Sequence, residues 1–147
     1  MVSGSCLCGR VRFAIDGGLT PIQYCHATRC RKANGSAFAA ELAAPRSRFR
    51  WIHGEELLTV YEAPLLREPP PYRNAFCRVC GSPMPVPLEG TDFVALRAGV
   101  LDGAIGVRPF RHIFVGQSAA WHVISDDLPR FDQHVPPGQR LPRRSGG

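Results

Sequence analysis

A mainly β fold, built from short strands joined by many turns, is the class that this sequence predicts. The 147 residues include fifteen Gly and fourteen Pro, and because both residues break helices, this content argues against a helical bundle. Hydrophobic residues make up 44% and charged residues 20% of the chain, which is the balance of a globular protein with a real core. At this length we expect one compact domain.

Local patterns justify the first elements along the chain. Apolar and polar residues alternate over 8–15, which places three apolar side chains on one face and predicts a half-buried strand. Residues 28–33 predict a short helical turn, because Asn34 and Gly35 directly after it favour the left-handed conformation that ends helices. We expect little other helix.

The remaining elements are β-favouring runs separated by polar or proline-rich loops. The segment 55–62 is assigned to a strand, because Thr59 and Tyr61 favour strands over helical turns. Three consecutive prolines at 69–71 predict a polyproline-like connector. We expect the domain to span 1–131, with a flexible Pro/Gly/Arg-rich tail at 132–147. Further strands are predicted at 37–44, 49–52, 93–100 and 111–115.

The formal net charge of +6 raises the question of a nucleic-acid partner. Lys32 is the only lysine, and the arginines are interleaved with acidic residues. Because no basic stripe with interleaved aromatics occurs, we do not expect nucleic-acid binding, and a basic surface also suits small anionic substrates. We find neither a secretion signal nor an apolar run near the roughly 20 residues that span a bilayer, so we expect no membrane partner and a cytoplasmic location.

Four of the six cysteines form two closely spaced pairs, C-x-C at Cys6 and Cys8 and C-x-x-C at Cys77 and Cys80. Gly81 follows the second pair, and such a turn lets two thiolates converge on one ion while backbone amides hydrogen-bond to the sulfurs. Four thiolates complete a tetrahedral zinc site with no open position, so we predict a structural zinc that stabilises the fold. Buried free cysteines or disulfides are the less favoured alternative, because a disulfide within C-x-C is strained and a cytoplasm is reducing.

The other two cysteines, Cys25 and Cys30, lie in one short segment together with His26. Two thiolates and an imidazole would leave a zinc ion one open position, as a catalytic zinc requires, so these three residues are the candidate catalytic site. Adjacent side chains diverge in an extended chain, so Cys25 and His26 bind one ion only where the backbone turns sharply. The alternative is a pair of free or reversibly oxidised thiols.

Three cysteine motifs, in this order, resemble the glutathione-dependent formaldehyde-activating enzyme family, to which centromere protein V is also related. They are SCLCGRV at 5–11, the segment from CH at 25–26 to CRKANGSAF at 30–38, and FCRVCGSP at 76–83. The segments HIFVG at 112–116 and DDLPRF at 126–131 are similar to the ending of many bacterial members. The resemblance covers nearly the whole chain.

The resemblance implies several coiled antiparallel β-sheets around a structural zinc, whose four ligands match the two closely spaced cysteine pairs one for one. It also implies a second zinc held by a C-H-C-x-x-C pattern, in which Ala27 here replaces the middle cysteine. Cys25 and Cys30 transfer as ligands of this second zinc, and His26, water or a bound thiol would complete its shell.

The implied activity is addition of the thiol of glutathione to formaldehyde, giving S-hydroxymethylglutathione, or cleavage of the same carbon–sulfur bond. The implied partner is a small-molecule thiol or thiol–aldehyde adduct. Arg29, Arg31 and Lys32 are candidate contacts for the carboxylates of glutathione, and His112 and His122 are candidates for a pocket facing the zinc. The alternatives are a non-catalytic, zinc-stabilised binding module that lost the second metal with its third cysteine, and a thiol redox protein.

Overall fold

The computed structural model describes residues 1–64 and 72–145. Strands dominate this part of the chain, which contains one α-helix and short 3-10 turns, and the mainly β class is confirmed. No helix in these two ranges is long and apolar enough to span a membrane. The predicted connector at 69–71 lies outside the described residues. The helix is α1 (Thr28–Asn34), and the strands are β1 (Val2–Ser5), β2 (Arg12–Ile15), β3 (Ile22–Cys25), β4 (Ala39–Pro45), β5 (Phe49–His53), β6 (Leu58–Glu62), β7 (Arg73–Cys77), β8 (Pro83–Met84), β9 (Val86–Pro87), β10 (Phe93–Arg97) and β11 (Pro109–Ile113).

The strands form three sheets, with the orders β1-β2-β5, β11-β3-β4-β10-β9 and β6-β7-β8. Among the described strands every pairing is antiparallel except that of β11 with β3, which is parallel. The expected antiparallel sheets are therefore confirmed, with one parallel edge added. This edge matters for the site, because it brings the last strand of the chain beside the end of β3, where Cys25 lies.

The predicted elements are found near their expected positions, and the differences have local causes. The strand predicted over 8–15 is β2, which begins at Arg12, because residues 6–9 form a turn closed by the Gly9 amide donating to the Cys6 carbonyl oxygen (2.9 Å). The helix ends as predicted, with Gly35 in the left-handed conformation at a φ of 63°. The segment 55–62 begins with a 3-10 turn and continues as β6.

The larger apolar cluster contains buried side chains from all three sheets. It packs Phe13 and Ile15 of β2 with Leu42 of β4 and Leu96 of β10, and all four side chains are buried. Burying a large apolar side chain stabilises a fold by about 1.5–3 kcal/mol, so this cluster is a main source of stability.

A smaller apolar cluster surrounds the start of α1 and includes one residue of the C-terminal segment. Val135 is completely buried in it, at 0% exposure. The Arg140 guanidinium donates to the Val135 carbonyl oxygen (2.9 Å), and Arg144 pairs with Asp92 (2.6 Å). Residues 132–145 thus make defined contacts with the rest of the domain, while the flexibility expected of 132–147 and the boundary at 131 stay predictions. The buried members of this cluster are Cys25, Ala27, Cys30, Ala39, Ile113 and Val135.

One glycine is required by close packing between two chain segments. Gly54, directly after β5, has a φ of 83°, and a Cβ at this position would overlap the carbonyl oxygen of Arg10. Only glycine combines this backbone conformation with this approach.

Candidate metal centres and a cationic cleft

The four cysteines of the two closely spaced pairs meet at one point, although 69 positions separate Cys8 from Cys77. Their four sulfur atoms all lie within 4.8 Å of one another. Sγ of Cys6 and Sγ of Cys8 are 3.5 Å apart, and Sγ of Cys8 and Sγ of Cys77 are 3.9 Å apart. Sulfurs of a tetrahedral zinc site with Zn–S bonds of about 2.3 Å lie about 3.8 Å apart, so this donor set fits zinc.

Hydrogen-bond donors around this cluster favour the thiolates of Cys6 and Cys80. The Val11 amide donates to Sγ of Cys6 (3.3 Å), and the Leu7 amide donates to Oγ of Ser82 (2.8 Å), which ties the two cysteine turns together. Hydrogen bonds from the side chain and the backbone of Ser82 lower the pKa of Cys80 to about 5. Thiolates held by such donors are the form that binds metal.

The second pair of cysteines meets a carboxylate. Sγ of Cys25 and Sγ of Cys30 are 3.1 Å apart, and Sγ of Cys30 lies 3.5 Å from Oε1 of Glu41. The three donor atoms lie within 4.8 Å of one another. Both cysteines are buried, whereas Glu41 is partly open. Two soft thiolates and one carboxylate form a donor set that zinc accepts.

Three elements position these donors. Cys25 is the last residue of β3, and Cys30 lies in the first turn of α1, after a short bend at 26–27. Glu41 lies on β4 directly opposite Gln23 of β3, and Ala39 lies opposite Cys25. Opposed residues of an antiparallel pair project from the same face of the sheet, so Glu41 and Cys25 share a face.

A row of polar side chains crosses this face on four neighbouring strands. Arg111 of β11 donates to Oε1 of Gln23 (3.0 Å), and Nε2 of Gln23 donates to Oε2 of Glu41 (3.2 Å). Arg97 of β10 donates to Oε1 of Glu41 (3.4 Å) from the other side. The carboxylate is therefore held from both sides, and its Oε1 is directed towards Cys30.

These groups line a cleft of about 500 Å³. Its lining has two glutamates, Glu41 and Glu89, against six arginines, so the cleft has a strong positive balance. Partial burial, followed by the charges of Arg140, Arg111 and other arginines, lowers the pKa of His134 to about 4, which keeps this cleft imidazole neutral at physiological pH. The six cleft arginines are Arg29, Arg73, Arg97, Arg111, Arg140 and Arg143.

Tyr72 connects the cysteines to this charged wall. Its hydroxyl oxygen accepts a hydrogen bond from Arg97 (3.0 Å), and the guanidinium of Arg29 lies 4.7 Å from the centre of its ring. Burial, followed by the proximity of Cys30, raises the pKa of Tyr72 to about 12. The phenol therefore stays protonated. Its hydroxyl lies beside the cysteine pair.

His26 does not join Cys25 and Cys30. It is fully buried, and its Nε2 lies 2.8 Å from Nδ1 of His112, whose Nε2 lies 2.9 Å from the carboxylate of Asp126. Because the carboxylate only accepts, His112 donates to Asp126 and His26 donates to His112. Burial, followed by the repulsion that would arise if His26 and His112 were both protonated, lowers the pKa of His26 to about 4.

The structure brings together some of the predicted site residues and separates others. Arg29 lines the cleft, whereas Arg31, Lys32, His112 and His122 are not among the residues that line it. Sequence reasoning missed Glu41, Tyr72, Arg97 and Arg111 as cleft residues. Glu41 had a usable signal, because it is the only charged residue in the apolar run 37–44.

Comparison with known proteins identifies a family that this chain matches. The family model described as "Glutathione-dependent formaldehyde-activating enzyme" matches residues 1–117. A Halomonas elongata protein, provisionally described as a glutathione-dependent formaldehyde-activating enzyme, is 32% identical over 84 residues, which cover 56% of this chain and 53% of that protein. The chain thus spans about half the length of this curated relative.

A solved structure supports the fold. The crystal structure of a Rhodobacter sphaeroides protein is similar with a TM-score of 0.52 and 23% identity, and the match covers 73% of this chain and 98% of that one. At this identity the likeness bears on the fold alone.

Proposed function

This chain belongs to the glutathione-dependent formaldehyde-activating enzyme family, and from this premise we propose that it forms or cleaves the carbon–sulfur bond between a thiol such as glutathione and an aldehyde such as formaldehyde. The observation that carries the proposal is the cationic cleft, which holds Cys25 and Cys30 in its wall. In the forming direction the thiol sulfur bonds to the carbonyl carbon, and the electron pair of the C=O π bond moves to oxygen. The thiol loses one proton and the oxygen gains one, giving a hydroxymethyl thioether, and cleavage is the reverse.

The arginines of the cleft suit the carboxylates of a small peptide-like thiol. A guanidinium donates two parallel hydrogen bonds to one carboxylate, which fixes the orientation of the ligand as well as its position. Arg73, Arg97 and Arg111 are already engaged with carboxylate or amide side chains, whereas Arg140 uses only its Nε, on the Val135 carbonyl oxygen. Arg29, Arg140 and Arg143 are therefore the proposed carboxylate contacts.

Zinc is the proposed cofactor at both cysteine clusters. The closed four-cysteine cluster (Cys6, Cys8, Cys77 and Cys80) is proposed to stabilise the fold. At the other cluster Cys25 and Cys30 are the proposed catalytic-site ligands, and a zinc ion bound there supplies Lewis acidity and stabilises a thiolate. His26 was predicted as a third member, but since its imidazole is bound to His112 we propose that it supports the end of β3.

The test is the rate of exchange between formaldehyde and S-hydroxymethylglutathione, measured by NMR with wild type, Cys30→Ser and a buffer blank. We expect exchange above the blank for wild type and a large loss for Cys30→Ser. Equal rates in all three samples would refute the proposal for this substrate pair.

A second pair of variants tests the cleft arginines. Arg140→Gln is expected to raise KM for the thiol with little change in kcat, whereas Arg50→Gln, on the exposed β5 of another sheet, is the matched control. An equal KM for both variants would refute the role of the cleft arginines in binding the thiol.

Ala27 supports a second candidate, a non-catalytic zinc-stabilised binding module, because its methyl group cannot bind a metal. This candidate predicts one zinc per chain and binding of a thiol without exchange. The enzyme candidate predicts two zinc ions per chain. We place both candidates in the cytoplasm, where thiols stay reduced.

A further inference from the structure

We propose that Glu41 is the third protein ligand of the second metal site and takes the place of the cysteine that Ala27 replaces. The inference deepens the proposed function and rests on it for the choice of zinc. It makes the site a two-thiolate, one-carboxylate centre rather than a three-thiolate centre.

The positions of the donor atoms carry this assignment. Oε1 of Glu41 lies 3.5 Å from Sγ of Cys30, and all three donor atoms lie within 4.8 Å of one another. A sulfur and an oxygen on one tetrahedral zinc lie about 3.5 Å apart, given Zn–S bonds near 2.3 Å and Zn–O bonds near 2.0–2.2 Å. His26, the other neighbour of the pair, is bound to His112 instead.

Charge is conserved in the exchange of ligands. Three thiolates carry three negative charges, and two thiolates with one carboxylate carry the same number. The carboxylate reaches the site from β4, across the sheet, whereas the lost cysteine would have come from the bend before α1. The donor therefore changes its place in the chain while the total charge of the donor set stays the same.

The surroundings of Glu41 are those of a positioned metal ligand. Its side chain is only 19% exposed. It accepts hydrogen bonds from Gln23 at Oε2 and from Arg97 at Oε1, and Arg111 fixes the amide of Gln23. A carboxylate has about four lone-pair sites, so both hydrogen bonds leave a lone pair for an ion, and ligating carboxylates are commonly held by such neighbours.

The first experiment counts zinc in the protein as isolated and titrates it with a weak chromophoric chelator. We expect two zinc ions per chain in wild type and one in Glu41→Gln, or at least a tenfold loss of affinity for the second ion. Glu89→Gln is the matched control, because Glu89 lies in the same cleft and its removal changes the charge equally. The Glu89→Gln variant should keep both zinc ions.

A rescue variant makes the result independent of folding defects. In the double variant Ala27→Cys with Glu41→Gln, a thiolate returns at the start of α1, and the second zinc should return with it. Cobalt(II) bound in place of zinc reports the change of donors, since its visible spectrum depends on the number of thiolates. Thermal unfolding of each variant verifies the fold.

A second zinc bound by Glu41→Gln as tightly as by wild type would overturn the ligand role. A wild type that binds one zinc, unchanged by Glu41→Gln, would overturn it too. The exchange assay separates the failure of this ligand assignment from the failure of the proposed function. If Glu41→Gln keeps both the second zinc and the exchange activity, the ligand role alone is overturned. Loss of that zinc in the variant, with no exchange by wild type, supports the ligand role and overturns the proposed function.

Discussion

Replacing Val135 with alanine tests whether the C-terminal segment is part of the domain. Val135 is completely buried, in the same apolar cluster as Cys25 and Cys30. The substitution removes two methyl groups at about 0.8 kcal/mol each. The cavity left behind adds a further cost, so we expect a total loss of about 1.5–3 kcal/mol in the free energy of unfolding. For a chain of this length each kcal/mol lowers Tm by roughly 3–4 °C, which predicts a decrease of roughly 5–12 °C.

Thermal unfolding followed by circular dichroism measures this decrease, and Val123→Ala is the matched control. Val123 is 80% exposed, so the same chemical change there should leave Tm within about 1–2 °C of wild type. Equal Tm values for the two variants would refute the packing of Val135 and would favour the flexible tail that the sequence suggests.

Three further predictions concern the structural cluster, the cleft and the fold. Cys77→Ser is expected to lose one zinc and to unfold at ordinary temperature, because structural zinc contributes about 10–16 kcal/mol and a domain has about 5–15 kcal/mol in all; an unchanged Tm after confirmed loss of that zinc would contradict this. The imidazole of His134 should titrate in NMR near pH 4, and Arg140→Gln should raise its pKa because a repelling positive charge is removed; a midpoint near the ordinary value of 6.5 in both proteins would count against it. Gly54→Ala should lower stability by at least about 2 kcal/mol through positive-φ strain and overlap with the backbone, whereas Gly99→Ala, with open space around it, should change it little, and equal Tm values for the two would argue against that packing.

The fold could be predicted where the sequence acts locally. The end of α1 follows from Gly35, and β2 follows from the large apolar residues Val11, Phe13 and Ile15 at every second position. The parallel pairing of β11 with β3 could not be predicted, because no local pattern distinguishes a parallel edge strand from an antiparallel one. Val135 gave no signal either, since a single apolar residue among prolines and polar residues has no periodicity.

The candidate site also contains one part that local sequence patterns predict and one part that depends on long-range strand pairing. The four-cysteine cluster was predicted because C-x-C and C-x-x-C each fix two sulfurs within one turn, so only the meeting of the two turns had to be assumed. Glu41 depends on the register of β4 against β3, which places it opposite Gln23. A slip of one residue would turn its carboxylate to the other face of the sheet, and sequence alone does not set that register.

The cleft combines two parts of the chain that differ in their relation to the family. Cys25, Cys30 and Glu41 lie within residues 1–117, which the family model matches, whereas His134, Arg140 and Arg143 lie beyond them. The packing of Val135 also positions Arg140, because the Arg140 guanidinium donates a hydrogen bond to the Val135 carbonyl oxygen. On the proposed function, the reacting sulfur and carbon are handled by the part of the chain shared with the family. On the same proposal, the carboxylates of the thiol meet Arg29 together with Arg140 and Arg143 of the C-terminal segment, so the packing of this segment contributes to the choice of thiol.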